Sequence, residues 1–206
     1  MATVASILNG ARYDLRNYSD ISYDETLMIH YLNRALKILD YTLFQHNSDW
    51  TLNRSTVTLS EDGNSVTVPT GARVIREVWI GTDRKDQISP MDIYYKRQFH
   101  TDDYAEPNYW AHVGDSILFE VNAYEEYTVI VYYDKAATAL TASSDTTPYE
   151  GRFDEHLREA LVMMCQAKKE KGVSQGDSIY YQMFDSIVKQ DIIQHKWKRK
   201  NYKLDF

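Results

Sequence analysis

The sequence predicts an α+β fold. Four main helices, two N-terminal and two C-terminal, would form a helical core around an inserted antiparallel β-sandwich or small barrel, and an extended C-terminal tail would follow. Three observations predict it. Apolar residues recur at helical spacing through the first 49 residues, the period changes from 3.6 to 2 at Trp50, and helical spacing returns near Phe153. Neither terminal pair of helices can bury its apolar stripe alone, so the two pairs are expected to pack as one unit. The expected division is residues 1–50 and 152–195 as the two parts of the helical core, 51–135 as the β-rich insertion, 136–151 as a linker, and 196–206 as the tail.

The first helix places Val4, Ile7, Leu8, Ala11 and Leu15 on one side, with Thr3 in the N-cap position. After a turn at residues 17–20, Ser22-Tyr23-Asp24-Glu25 has the form of a capping box, a serine hydroxyl and a glutamate three residues later. Leu27, Met28, Tyr31, Leu32, Ala35, Leu36, Leu39 and Leu43 then make a stripe over about five turns. Residues 55–60 and 65–69 read as a hairpin about the turn Glu61-Asp62-Gly63-Asn64, and residues 73–81 as a third strand. Ser89-Pro90 opens a short helix carrying Ile93, Tyr94 and Phe99, with serine at the N-cap and proline at the first helical position. Strands return at residues 108–113, 116–121 and 127–133, the first two joined at Gly114-Asp115. The Thr/Ser/Ala-rich residues 136–150 read as linker. A helix follows from about Phe153, with Leu157, Ala160, Leu161 and Met164 inward, and Gly172 as its stop. A last helix from about Gln175 to His195 turns Ile179, Met183, Phe184, Ile187 and Val188 inward.

Composition excludes several classes. Hydrophobic residues are 43% and charged residues 26%, values of a folded, water-exposed chain rather than a disordered or membrane-embedded one. No apolar run approaches the ~18 residues of a membrane span, and no basic-then-apolar leader opens the chain. A single cysteine, Cys165, excludes a disulfide framework and a cysteine-rich zinc site. The 17 tyrosines point to protein partners, because tyrosine offers a broad apolar face with a polar tip. Net charge is −7, and it is polarised: residues 195–206 carry +4 and the remainder −11.

Catalytic signatures are sparse. No two of His30, His46, His100, His112, His156 and His195 stand four apart, as a helical zinc pair would, and no Gly-rich phosphate loop or Gly-x-Ser-x-Gly turn occurs. No cofactor is expected. Cys165 lies in the apolar run 161–165, where a buried inert thiol is expected rather than a nucleophile. The adjacent acids Glu61-Asp62, Asp102-Asp103, Glu125-Glu126 and Asp154-Glu155 could hydrolyse a glycoside if paired ~5–9.5 Å apart across a sugar. Each lies in a turn or at an element end, where solvated acids also belong.

The tail admits three readings. Lys196, Trp197, Lys198, Arg199, Lys200, Tyr202, Lys203 and Phe206 could neutralise phosphates and stack on bases. They could dock as an extended peptide on an acidic partner, with aromatic anchors and charge steering. They could also be the solvated cationic end of a helix, favoured by its dipole. Fully extended, the twelve residues from 195 to 206 would reach ~40 Å.

Several segments together resemble a known family. They are residues 3–16 (Thr-Val-Ala-Ser-Ile-Leu-Asn-Gly-Ala-Arg-Tyr-Asp-Leu-Arg), 31–40 (Tyr-Leu-Asn-Arg-Ala-Leu-Lys-Ile-Leu-Asp) and then Asp49-Trp50. Val78-Trp79-Ile80, Asn108-Tyr109-Trp110-Ala111 and residues 153–161 (Phe-Asp-Glu-His-Leu-Arg-Glu-Ala-Leu) continue the series. In order and wording these are similar to head-to-tail adaptor (connector, or head-completion) proteins of tailed bacteriophages, in the short-tailed branch. The resemblance implies a structural subunit of the virion. Such a subunit stands in a ring, typically a dodecamer, beneath the portal protein; it extends the DNA channel and offers a surface to a tail nozzle or tail-tube protein. Double-stranded DNA would pass transiently without specific binding, which suits a negatively charged body. Residues 196–206 would be the portal-binding arm, with Trp197, Tyr202 and Phe206 as anchors. The resemblance also supplies an alternative, a peptidoglycan hydrolase acting during phage entry, since one member of the group, from short-tailed phages of enteric bacteria, is described as having that activity. No catalytic residue carries across from it.

Overall fold

The computed structural model describes residues 3–15, 23–99, 104–169 and 177–202. It is a mixed α+β protein of five helices and one seven-stranded, nearly closed, barrel-like sheet. The chain divides into two compact units, Thr51–Ala136 and the pair of segments Met1–Trp50 and Ala137–Phe206.

The second of these contains α1 (Val4–Asp14), α2 (Glu25–Gln45), α4 (Asp154–Lys169) and α5 (Asp177–Tyr202). Their apolar stripes meet in one core, with Leu8, Met28, Leu32, Leu39, Leu43, Phe153, Leu157, Leu161, Phe184 and Val188 almost wholly removed from water. Each such side chain contributes ~1.5–3 kcal/mol of transfer free energy, enough to dominate local helix propensity. Gly10 lets Arg158 of α4 cross α1 closely, because a Cβ there would stand 2.8 Å from the Arg158 Cδ. Arg158 then reaches Asp14 at 3.3 Å.

The helix starts differ from expectation in an instructive way. Thr3 does not cap α1 with its side chain. The amides of Val4 and Ala5 donate instead to the carbonyls of Asp145 and Ser143, both at 2.9 Å, and Thr3 bridges Thr146. The N-cap of α2 is Asp24, whose carboxylate accepts from the Leu27 amide at 2.7 Å; the helix starts at Glu25, so Glu25 is not the third residue of a capping box. Ser22 and the turn at 17–20 lie outside the described residues.

Residues 137–149 are a strap fastened to α2 rather than a loose connection. Asn33 exchanges two hydrogen bonds with the Leu140 main chain, both 2.8 Å. Seven residues on, Asp40 accepts from the Ala137 amide at 3.1 Å and the Tyr149 hydroxyl at 2.5 Å. Leu140 is buried between these fastenings. Asp145 closes the strap's turn, accepting from the amides of Thr141 and Ala142 and from the Thr141 hydroxyl. Those amides, Thr141 first, hold its carboxyl below the ordinary value of 3.8. A depressed folded-state value contributes stability that is complete above 3.8 and is lost as pH falls through the depressed value. Hydrogen exchange should therefore show the Thr141 and Ala142 amides protected at neutral pH and released as pH falls through that depressed value. The Asp145→Asn variant should lose that pH dependence, and wild-type protection that stays constant as pH falls well below the ordinary carboxyl range would contradict the assignment.

The other unit holds β1 (Leu52–Leu59), β2 (Ser65–Thr67), β3 (Ala72–Ile80), β4 (Asp83–Gln87), α3 (Pro90–Phe99), β5 (Tyr109–Val113), β6 (Ser116–Phe119) and β7 (Tyr127–Lys135). The strand order is β1-β7-β3-β4-β5-β6-β2. Two expectations are corrected. β1 and β2 are not a hairpin: β1 pairs along its whole length with β7, and β2 with β6, so strands consecutive in sequence stand at opposite edges of the sheet. The longer ladder with β7 satisfies eight residues of β1, which a three-residue partner cannot. The sheet is also not wholly antiparallel, since β4 and β5 run parallel.

β4 itself was absent from the expected strands because its residues are Asp-Arg-Lys-Asp-Gln. Only Lys85 is buried there, and its ammonium meets Glu106 at 2.5 Å. Asp134 is buried on β7 and is bonded by Thr51 at 2.8 Å and by Arg76. The tight β5–β6 turn needs Gly114 at φ +58, in the left-handed region.

Candidate functional site

Helix α5 carries the cationic segment, and the body of α5 is firmly held. Tyr180, Phe184 and Val188 are buried in the helical core. Asp185 joins His46 at 2.6 Å and Lys189 at 2.7 Å. Hydrogen bonds from Lys189 and then His46 hold its carboxyl below the usual range. Six residues further along, buried Asp191 accepts from the Trp50 indole at 2.9 Å and from the Arg152 guanidinium at 2.8 Å. Trp50 and Tyr149 in turn meet Phe153 edge to face. These contacts place α5 against the end of α2 and the start of α4.

The helix continues past His195, which corrects the extended arm for part of its length. Lys196, Trp197, Lys198, Arg199, Lys200 and Tyr202 all belong to α5. Lys203 and Phe206 lie outside the described residues. At 1.5 Å per residue the seven residues 196–202 span ~10 Å, where an extended chain would span ~24 Å. The physical reason is that Lys and Arg have good helix propensity, and cations at a helix C-terminus complement the partial negative charge of its last carbonyls.

Classical chemistry finds little support in the arrangement. Among the described residues no group of three or more His, Cys, Asp or Glu could hold a metal ion. Cys165 is buried, and its carbonyl accepts from the Tyr23 hydroxyl at 3.1 Å. Asp154 and Glu155 occupy the first turn of α4, where the helix dipole favours acids. Glu61, Asp62, Glu125 and Glu126 are exposed, and Asp102 and Asp103 lie outside the described residues. No helix among the described residues is long and apolar enough to cross a membrane.

A second surface was not anticipated as a site. Helix α3 begins as expected, with the Ser89 hydroxyl accepting from the Asp92 amide at 3.1 Å. It buries Ile93 completely and leaves Met91, Tyr95 and Phe99 exposed at i, i+4 and i+8. The Tyr95 and Phe99 rings touch, with centroids 4.7 Å apart. Beside this stripe lies a cleft of about 400 Å³ lined by Asn64, Tyr94, Arg97, Gln98, Glu120 and Asn122. Glu120 is committed to the main chain, accepting from the amides of Asn108 and Tyr109 at 2.8 and 3.0 Å. The signal was present in the spacing of Met91, Tyr95 and Phe99, but periodicity alone cannot tell a buried stripe from an exposed one.

The SU10 adaptor protein family model matches residues 2–201. The chain belongs to the SU10 adaptor protein family. No curated protein matches it. As an SU10 adaptor it is a bacteriophage structural protein, a component of the virion that works with other head and tail proteins. The match includes both units and all of α5 up to residue 201.

Proposed function

We propose that this SU10 adaptor is a ring subunit that joins the phage portal to the tail and extends the DNA channel between them, without catalysing a reaction. The observation that carries the reading is the family match along nearly the whole chain. The charge distribution supports the division of labour within it. A segment of +4 at the end of a helix suits docking on a portal surface, while a body of −11 repels DNA and lets it slide. The anchors are Trp197, Tyr202 and Phe206, and Lys196, Lys198, Arg199, Lys200 and Lys203 steer the approach. The helical form of residues 196–202 makes the docking element a helix end that arrives preformed, so less chain ordering opposes binding. On the portal the subunits form a closed homo-oligomer, a dodecamer, and the β unit faces the tail nozzle or tail tube.

Deletion of residues 196–206 tests the reading. Binding to the isolated portal ring, followed by sedimentation and electron microscopy, should fall by ~100-fold or more, because a hot-spot cluster of aromatic anchors is removed. The circular dichroism spectrum should change only by the loss of about two helical turns. Portal rings decorated equally by the shortened and the full-length protein would overturn the assignment.

A further inference from the structure

The cleft beside α3 holds two opposite charges that do not meet. Glu120 is only 6% exposed, and its carboxylate accepts from two main-chain amides, Asn108 at 2.8 Å and Tyr109 at 3.0 Å. No cation pairs with it among the described residues. Arg97 is half-buried in the lining of the same cleft and makes no hydrogen bond or ion pair among the described residues. Taking a charge out of water without a partner costs free energy, and an Arg97–Glu120 pair would offset part of that cost. The protein instead keeps both groups on the wall of one space of about 400 Å³ without joining them. Fixed polar groups with hydrogen-bonding capacity to spare, converging on one cavity, are what a small-molecule site offers.

The rest of the wall is polar and held in place. Tyr94, Arg97 and Gln98 stand at i, i+3 and i+4 on α3, the spacing of one helix side. Asn64 and Asn122 are joined side chain to side chain, the Asn64 amide donating to the Asn122 oxygen at 2.9 Å. Their main chains are fixed as well: the Asn64 carbonyl accepts from the Phe119 amide at 2.9 Å, and the Asn122 carbonyl from the Ala105 amide at 3.0 Å. That leaves the Asn64 side-chain oxygen to accept and the Asn122 side-chain amide to donate. The wall therefore combines three carboxamides, one guanidinium, one carboxylate and one phenol, and its two charges cancel. The Tyr94 ring, 48% exposed, supplies an aromatic face.

We infer that this cleft binds a neutral sugar, as a free pyranose or as the end residue of a glycan. Each sugar hydroxyl both donates and accepts, so neighbouring hydroxyls can satisfy Arg97, Glu120 and the carboxamides together. The C–H face of the ring can lie on Tyr94. Other classes of ligand match fewer of these groups. A lone anion would meet buried Glu120, in a unit with eight Lys and Arg against fourteen Asp and Glu. A lone cation would meet Arg97, and an apolar ligand would find only Val121 and the Tyr94 ring. A zwitterion such as glycine would answer the two charges and leave the three carboxamides idle. The volume lies at the small end of ligand clefts and suits a compact ligand rather than a protein segment. Glu120 is the one carboxylate among the described lining residues, and glycoside cleavage uses two, so the arrangement holds a sugar without hydrolysing it. Neither portal docking nor ring closure bears on this site.

Saturation-transfer NMR on the full-length protein tests it. The probes are the methyl glycosides of glucose, galactose, mannose and N-acetylglucosamine, with acetate and glycine as ionic probes. At least one glycoside should bind with a Kd of ~1 mM, the affinity within reach of so small a ligand. Arg97→Ala and Gln98→Ala should each weaken that binding roughly tenfold, because each removes hydrogen bonds to the sugar. Tyr94→Ala should weaken it similarly by removing the aromatic face. Phe99→Ala, on the exposed stripe of α3 and outside the cleft lining, should leave it unchanged. Circular dichroism checks the fold of each variant, and three separate substitutions keep the test decisive if one of them misfolds. Absence of transfer to all four glycosides up to ~20 mM would overturn the inference. So would equal binding by the wild type and the three cleft variants. Acetate or glycine binding through Arg97 without any glycoside binding would make this an ionic site and likewise overturn it. Variants that lose a tail protein, in a chain that binds no glycoside, would assign the cleft to that protein instead.

Discussion

Trp110→Ala is expected to destabilise the β unit by about 4 kcal/mol, the usual cost of removing a buried tryptophan. Trp110 on β5 is the largest fully buried side chain among the described residues. It stands in one core with Val78, Ile117, Phe119, Val129 and Val131. Its indole also donates to the Lys85 carbonyl at 3.1 Å, so truncation leaves a buried acceptor unsatisfied beside a cavity. The effect reaches beyond packing. Lys85 belongs to β4, the polar strand that links β3 to β5, and this hydrogen bond helps to hold β4 in the sheet. In a unit of this size the loss corresponds to a fall of on the order of 20 °C in its melting temperature. Differential scanning calorimetry should show that transition moving while the transition of the helical unit keeps its place. A shift of less than a few degrees would mean that the sheet does not depend on this side chain.

Asp191→Ala should cost the helical unit about 3 kcal/mol. The carboxylate is buried, yet it serves two donors from separate stretches of chain, the Trp50 indole and the Arg152 guanidinium. Arg152 is 43% exposed at its side chain and can turn to water, which keeps the cost below that of a wholly buried pair. Trp50 has less freedom, since its ring also meets Phe153. The melting temperature of this unit should fall by on the order of 10 °C. The Asn variant should recover roughly half of the loss, because a neutral amide oxygen still accepts from one donor. A further consequence concerns the cationic helix end. Asp191 is the last strongly buried side chain of α5 described before the segment that begins at Lys196, so its loss should also increase hydrogen exchange through the final turns. Protection there equal to that of the wild type would show that other contacts hold the helix end.

Much of this was legible from side-chain order. The stripe of α2 from Leu27 to Leu43 is long enough that no alternative secondary structure could bury it, and the helix runs as the spacing requires. Ser89-Pro90 marks the start of α3 because hydroxyl capping and the fixed φ of proline are local effects, independent of the rest of the chain. The likeness to phage adaptors was legible too, carried by the wording of segments such as residues 31–40 and 153–161 rather than by any single motif. What local pattern missed was every feature whose partner is distant. β4 escaped because Asp-Arg-Lys-Asp-Gln has no apolar alternation, and its buried Lys85 is compensated by Glu106, 21 residues away. The strap at 137–149 read as linker because Thr, Ser and Ala carry no periodic signal. Asn33 and Asp40, two turns apart on α2, supply its fastenings. The start of α1 looked like a threonine cap, yet its amides find their acceptors some 140 residues away.

The sequence by itself determined the mixed α+β class, the main helices and strands that show a periodic stripe, the polarised charge and the family resemblance. All of these depend on residue order within a few turns or on overall composition. The tertiary structure alone decided that β1 and β2 part to opposite edges of the sheet and that β4 runs parallel to β5. It also decided which stripe on α3 remains in water. The reason is common to these cases. A hydrogen bond or an apolar contact depends on which surfaces the whole chain brings together, and a stripe such as Met91, Tyr95 and Phe99 has the same spacing whether a core covers it or another molecule must.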